Sequence, residues 1–306
     1  MSFLSVLLAL LIEQARPLGE TNAIHQWIRN GVRWVVRSAD TGKPEHAWLA
    51  WLSAVLLPTL LTGAIHWLLV WSMGWLVAMV WSIVILYVTL GFRQFSHHFT
   101  DVRDALLAAD EETARQKLAA WMRVEPDSLP SNKMLGVVIA HSVLDAHRHI
   151  FGVLAWYSVL AMLGLGPAGA VLYRLSEYFM RYATRPLSPL STPMSAALQS
   201  ITQSAWYAMD WVPVRLTALG FAFAGSFEEA VDLWRLHGIQ SPRDNDGIVL
   251  AATAGAIHIQ LEPISGSHNA PLPQLTHLRS IASLVWRTVV VWMVFLALVS
   301  LARLLG

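Results

Sequence analysis

The chain contains no cysteine, which excludes disulfide frameworks, thiolate chemistry and cysteine-bound zinc. It also has little charge. Only 13% of its 306 residues are Asp, Glu, Lys or Arg, against roughly 25% in soluble domains. Twenty-one basic and twenty acidic residues leave a net charge of +1, so there is no basic field to gather nucleic acid. The sequence has no internal repeat, heptad series or low-complexity block, and no Walker loop, dinucleotide fingerprint, G-x-S-x-G elbow or zinc-protease motif. What it does have is apolar surface: 55% hydrophobic residues, fifteen Trp and a mean hydropathy of +0.49. These figures exclude disorder and argue against a water-soluble globule, and indoles favour membrane–water boundaries. The expected fold class is an all-α integral membrane protein, with about four to five membrane-embedded helices and cytoplasmic amphipathic helices.

Ala47 to Phe92 is 46 residues without one Asp, Glu, Lys or Arg. A span takes about 20 apolar residues, so this stretch predicts a transmembrane hairpin. Its turn is expected at Val70–Trp75, with Trp67, Trp71 and Trp75 near one interface. Pro58 and Gly63 are expected to kink the first arm. A second uncharged run, His149 to Tyr173, is long enough to span once, and its Gly164-Leu-Gly-Pro167-Ala-Gly169 centre also permits a broken or re-entrant helix. A last span is expected between Arg287 and Arg303, beginning near Ile281, with Arg287 snorkelling to the interface. Phe3–Ile12 lacks the charge layout of a signal peptide and reads as an interfacial or buried helix.

The expected organisation follows. Residues 1–46 hold a short apolar helix and a cytoplasmic amphipathic segment, 47–92 the hairpin, and 93–149 a cytoplasmic helical region. Residues 150–174 form a membrane segment, 175–282 motif-bearing helices and loops, partly embedded, and 283–306 a C-terminal transmembrane helix. Residues 13–46 carry five Lys or Arg and 93–149 carry seven, which places both on the cytoplasmic side of a multi-pass protein. Asp110-Glu111-Glu112 predicts a helix start, Pro130-Ser131 a second one capped by Ser131. Residues 185–204 read as a loop leading into a polar helix, and 262–276 as a linker.

Four places could carry chemistry. His141, Asp145 and His149 recur every fourth residue and share a helix face, which suits an acid/base or metal-ligand stripe as well as a hydrated polar face. His97-His98-x-x-Asp101 offers a weaker pair. Asp210-Trp-Val-Pro-Val-Arg215-Leu puts an acid and an arginine in an apolar stretch, either as a structural bridge or as recognition of phosphate or carboxylate. Ser241-Pro-Arg-Asp-Asn245-Asp-Gly247 can cap a helix or offer amides to a ligand, and Asp244-x-Asp246 could hold Mg²⁺ or simply form a solvated turn. The following Ala251-Ala-Thr-Ala-Gly255-Ala256 has the small residues that let helices approach closely. No metal site is assigned.

From Asp210-Trp-Val-Pro-Val-Arg-Leu onward the sequence resembles the CobD/CbiB family of cobalamin biosynthesis and its AmpE relatives. Four further stretches agree in order: Ala109-Asp-Glu-Glu-Thr-Ala-Arg-Gln-Lys-Leu118, Ala140-His-Ser-Val-Leu-Asp145, Gly166-Pro-Ala-Gly-Ala-Val-Leu-Tyr-Arg174, and Ser241-Pro with Asn245, Gly247 and Ala254-Gly-Ala-Ile. Together they cover about residues 100–262. The resemblance implies amide formation between adenosylcobyric acid and aminopropanol or its phosphate, with ATP and Mg²⁺ as cofactors. It implies that His141, Asp145, Asp210, Arg215 and Asn245 line the catalytic site, and that Arg174, Arg215 and Gly247 bind the cofactor. Partners would be a corrinoid substrate, the lipid bilayer, and a second copy or another membrane protein.

The chain also departs from the family pattern. The N-terminal Asp-Pro…His-Pro-Val signature is missing, and Leu10-Leu-Ile-Glu13-Gln looks more like AmpE. Glu177-Tyr-Phe-Met stands where Asn-Thr-Leu-Asp is expected, and Trp206-Tyr207 where an acidic pair is expected. Several carboxylates suited to Mg²⁺ are thereby absent. The alternative reading is therefore an AmpE-like, non-enzymatic inner-membrane modulator of signalling.

Overall fold

The computed structural model describes residues 2–16, 23–122, 124–126, 133–184, 193–264, 267 and 270–305. Their regular secondary structure is all helix, with no strand among them. The chain divides into two compact units. The first comprises Met1–Leu90 with Gly152–Pro213, the second Gly91–Phe151 with Val214–Gly306.

The first unit contains α1 (Ser2–Ala15), α2 (Ala23–Ala39), α3 (Pro44–Met73), α4 (Trp75–Thr89), α8 (Gly152–Met162), α9 (Ala168–Thr184) and the start of α10 (Ala196–Ala224). Pro44 opens α3, where its missing N–H costs nothing, and Gly74 at φ +85° closes it. The expected hairpin turn thus falls on Gly74. The helix stays continuous through Pro58, and the Thr59 and Thr62 hydroxyls donate to the carbonyls of Val55 and Pro58 at 2.7 and 2.8 Å. One side of α3 is buried (Ala47, Trp51, Val55, Thr59, Gly63), while Leu49, Leu57, Leu60, Leu61 and Leu68 lie exposed. An all-round apolar helix buried on one side only matches a lipid-facing segment.

Between His149 and Tyr173 the structure shows the broken form. Gly164 and Gly166 adopt positive φ (+81° and +56°), and the chain reverses between α8 and α9. A Cβ on Gly166 would overlap the His66 ring, and one on Gly169 would overlap the Trp156 carbonyl, so α9 meets α8 backbone to backbone. A single continuous span over this run is therefore replaced by two shorter helices.

The second unit contains α5 (Phe92–Leu107), α6 (Glu111–Met122), α7 (Met134–Ala146), a π-helical turn (His147–Phe151), the end of α10, α11 (Phe227–Gln240), α12 (Asn245–Ala256) and α13 (Leu275–Leu305). Asp110 caps α6 by accepting the Thr113 amide at 3.0 Å, as its acidic start predicts. The Pro130-Ser131 start proposed for the next helix lies outside the described residues, as do residues 185–192 of the expected loop and parts of the 262–276 linker. α12 is buried along its length against α11. A Cβ on Gly255 would press into the Glu229–Ala230 backbone, which confirms the close approach expected of its small residues.

The start of the last span needs correction: α13 begins at Leu275, not near Ile281 or 283. Leu278 is fully buried and adds a turn to the apolar stripe continued by Ile281, Val285 and Trp292, while the Gln274 amide donates to the His277 ring at 2.9 Å. Arg287, expected to snorkel, donates instead to the Ala224 carbonyl at the C-terminal end of α10 (3.4 Å).

Two described helices, α3 and Leu275–Ala302 of α13, are long and apolar enough to cross a bilayer. α1 and α4 are apolar but shorter.

Candidate functional site

In the second unit, α5, α6, α7 and the π-turn converge on a group of aromatic and titratable side chains. Trp121 of α6 stacks on His98 (centroids 5.8 Å apart) and meets the edge of His141 (4.7 Å). Its indole N–H points to Oδ2 of Asp145 at 3.4 Å. The other carboxylate oxygen, Oδ1, lies 3.2 Å from Nδ1 of His149, which is also 3.0 Å from the Asp145 carbonyl. Both partners of Nδ1 are acceptors, so Nδ1 is the donor here, and in the neutral form of the ring Nε2 holds the lone pair. Gly91 makes room for this ring, since a Cβ there would come within 2.8 Å of it. Asp145 and His149 therefore meet as their four-residue spacing predicts, while His141 is turned to Trp121. On α5, His97 pairs with Asp101 at 3.1 Å.

The π-turn sends its residues in different directions. The buried His147 shares a hydrogen bond with Thr217 (2.9 Å) on the same α10 segment as Arg215, and Arg148 pairs with Asp246 at the start of α12. Asp244 caps α12 through the Gly247 amide (2.9 Å) and also bonds Nε2 of the buried His237 (3.0 Å). The Gly247 amide is thus engaged within the protein, and its lack of a side chain admits the His237 ring. The neighbouring Asn245 is buried.

Asp210 and Arg174 belong to the first unit. Asp210 is wholly buried and accepts the Tyr173 hydroxyl at 2.8 Å. Tyr173 packs over Gly152, where a Cβ would overlap the ring, and lies 5.3 Å from Trp206. Arg174 pairs with Glu177 at 3.2 Å, and Glu177 also takes Arg181 at 2.6 Å. Asp210 and Arg215 fall in different units, because the boundary crosses α10 after Pro213. Sequence reasoning missed Tyr173 as the partner of Asp210 and Trp121 as the hub of the histidine group. The first lies within a quoted motif; the second is one Trp among fifteen.

Among the described residues, no three His, Asp or Glu side chains gather as ligands for a metal ion. Asp244 and Asp246, the pair considered for Mg²⁺, are turned to His237 and Arg148.

A profile of the family described as "CobD/Cbib protein" matches residues 5–179. The match begins well before residue 100, so the N-terminal hairpin shares the family pattern despite its departures. A cobalamin biosynthesis protein CobD of Stutzerimonas stutzeri is 29% identical over 96% of both chains. One of the same name from Chromobacterium violaceum is 27% identical over 83% of this chain and 79% of its own. A third, from Leptospira interrogans, is 26% identical over 62% of this chain and 59% of its own. No solved structure matches. The apolar helices and these relatives both indicate a membrane protein, and with the profile spanning more than half of it, the chain belongs to the CobD/CbiB family of cobalamin-biosynthesis proteins.

Proposed function

We propose that the protein forms an amide bond between the carboxyl group of adenosylcobyric acid and the amine of aminopropanol or its phosphate, as a multi-pass protein of the bacterial inner membrane. The names of its relatives support a place in cobalamin biosynthesis and do not favour an AmpE-like modulator. Four to five membrane-embedded helices belong to the same proposal, with α1, α4 and the α8–α9 pair joining the two long spans.

The observation that carries the reaction assignment is the Asp145–His149 pair. Amide formation requires an ammonium group to lose a proton before or during attack on the acyl carbon. A neutral imidazole held through Nδ1 by a carboxylate offers Nε2 to accept that proton. Asp145 then offsets the positive charge that forms on the ring, and Trp121 fixes the second carboxylate oxygen. His141, against the same indole, completes the polar wall. Arg215, in the same unit, would hold phosphate oxygens, and Asn245 would orient the carboxylate or the amide. ATP would supply the activation of the carboxylate, so that the acyl oxygen would leave with the group transferred from the nucleotide as the C–N bond forms. The described residues do not form a three-ligand Mg²⁺ site, and the ion would arrive with the nucleotide phosphates.

The test supplies detergent-purified protein with adenosylcobyric acid, aminopropanol phosphate, ATP and Mg²⁺, and follows product mass. Product that is lost in His149→Gln supports the reading. Absence of product beside an active family member overturns it and leaves a retained scaffold with a binding or signalling role.

A further inference from the structure

We propose that α2 recognises anionic phospholipid headgroups along an arginine edge at the cytoplasmic face of the first unit. The helix contains no acidic residue. Its arginines, Arg29, Arg33 and Arg37, follow one another at four-residue intervals in the sequence. Like charges at this spacing repel one another, and an anionic surface alongside the helix relieves that repulsion; Arg33 also donates to Oδ1 of Asn30 at 2.7 Å.

The structure shows why the surface is a bilayer. The valine side of α2 (Val32, Val35, Val36) is buried in a core with Ala47, Ala50, Trp51 and Val55 of α3. α2 is therefore fixed to the helix that enters the membrane. Ala39 and Pro44 are separated by four residues, which reach at most about 14 Å when extended. Asp40, the acid in this connection, accepts the Ser195 amide (2.7 Å) and hydroxyl (2.6 Å), which turns its charge to the N-terminus of α10. Arg37 is exposed and Arg33 half-buried.

Trp34 completes the pattern. It is 70% exposed between the two arginines in sequence, whereas Val32, Val35 and Val36 are buried. Trp48, also exposed, lies in the first turns of α3. An indole beside guanidinium groups, next to the entry of a spanning helix, has the composition of the headgroup layer, where rings lie among carbonyls and cations among phosphates.

The experiment uses the full chain. Native mass spectrometry in detergent, with equal phosphatidylglycerol and phosphatidylcholine, reads the ratio of retained lipids. Wild type should retain phosphatidylglycerol preferentially, and the preference should fall roughly fivefold for each arginine replaced in R33Q and R33Q/R37Q. R33K/R37K keeps the charge and should keep the preference, with melting curves confirming that each variant is folded. Because the chain has no cysteine, W34C carries a single fluorescent label. In nanodiscs its quenching by lipid-borne quenchers should rise with phosphatidylglycerol content and weaken with salt. An unchanged lipid ratio in R33Q/R37Q overturns the proposal. So does a label that stays equally exposed to water with and without phosphatidylglycerol, or a preference abolished by inorganic phosphate at matched ionic strength, which would assign the edge to a soluble anion.

Discussion

The Tyr173 hydroxyl donates to Asp210 across 2.8 Å inside the first unit, where both side chains are sealed from solvent. Thirty-six residues separate them in the sequence, yet they join α9 to α10. Removing the donor leaves a buried acceptor short of a partner. Tyr173→Phe should therefore lower stability by about 1–3 kcal/mol. Gly152→Ala should produce a comparable loss by pushing on the same ring. Thermal melts in detergent measure both.

His149→Gln removes the proton-accepting nitrogen while keeping a polar side chain of similar reach. Turnover should fall about 100-fold or more, with little change in melting temperature. Asp145→Asn should reduce turnover too, because the ring loses the carboxylate that supports its charged form. The product assay measures both rates.

Gly255→Ala places a methyl group against the backbone of Glu229 and Ala230, which cannot yield as a side-chain tip can. A loss of about 1–3 kcal/mol or more is expected, seen as lower melting temperature and lower folded yield.

Hydrogen bonds from the Thr113 side chain and amide hold the Asp110 carboxyl below its ordinary value of 3.8. A lowered folded-state value means that the ionised form favours the fold. The contribution is complete above the unfolded value and disappears as pH falls through the folded one. Asp110→Ala should thus melt earlier at neutral pH, and the difference should narrow in acid below pH 3.8. Asp110→Asn keeps a capping oxygen and should lose this acid dependence. Melting temperature across a pH series measures it.

The hairpin was legible because a charge-free run cannot be solvated and glycine suits the backbone reversal at Gly74. α6 was legible from a cap followed by acids. The start of α13 was not, because His277 and Arg279 hide the inward-facing Leu278 from a hydropathy reading. The break between α8 and α9 was visible only as an alternative, decided by backbone conformation at Gly164 and Gly166. At the candidate site, Asp145 and His149 could be paired from their spacing alone. The Tyr173–Asp210 and Arg148–Asp246 contacts could not, because they depend on how distant helices pack.

The π-turn at His147–Phe151 holds one more residue than a regular helix would need for the same advance. Deleting a single residue there would restore ordinary winding with little change of phase beyond it, but four places would remain for five side chains. His147, His149, Ile150 and Phe151 are all buried, Phe151 meets Phe221 edge-on and Arg148 pairs with Asp246, so the deletion would remove one of these contacts. The wider turn therefore lets this segment place one more side chain in contact than regular winding allows.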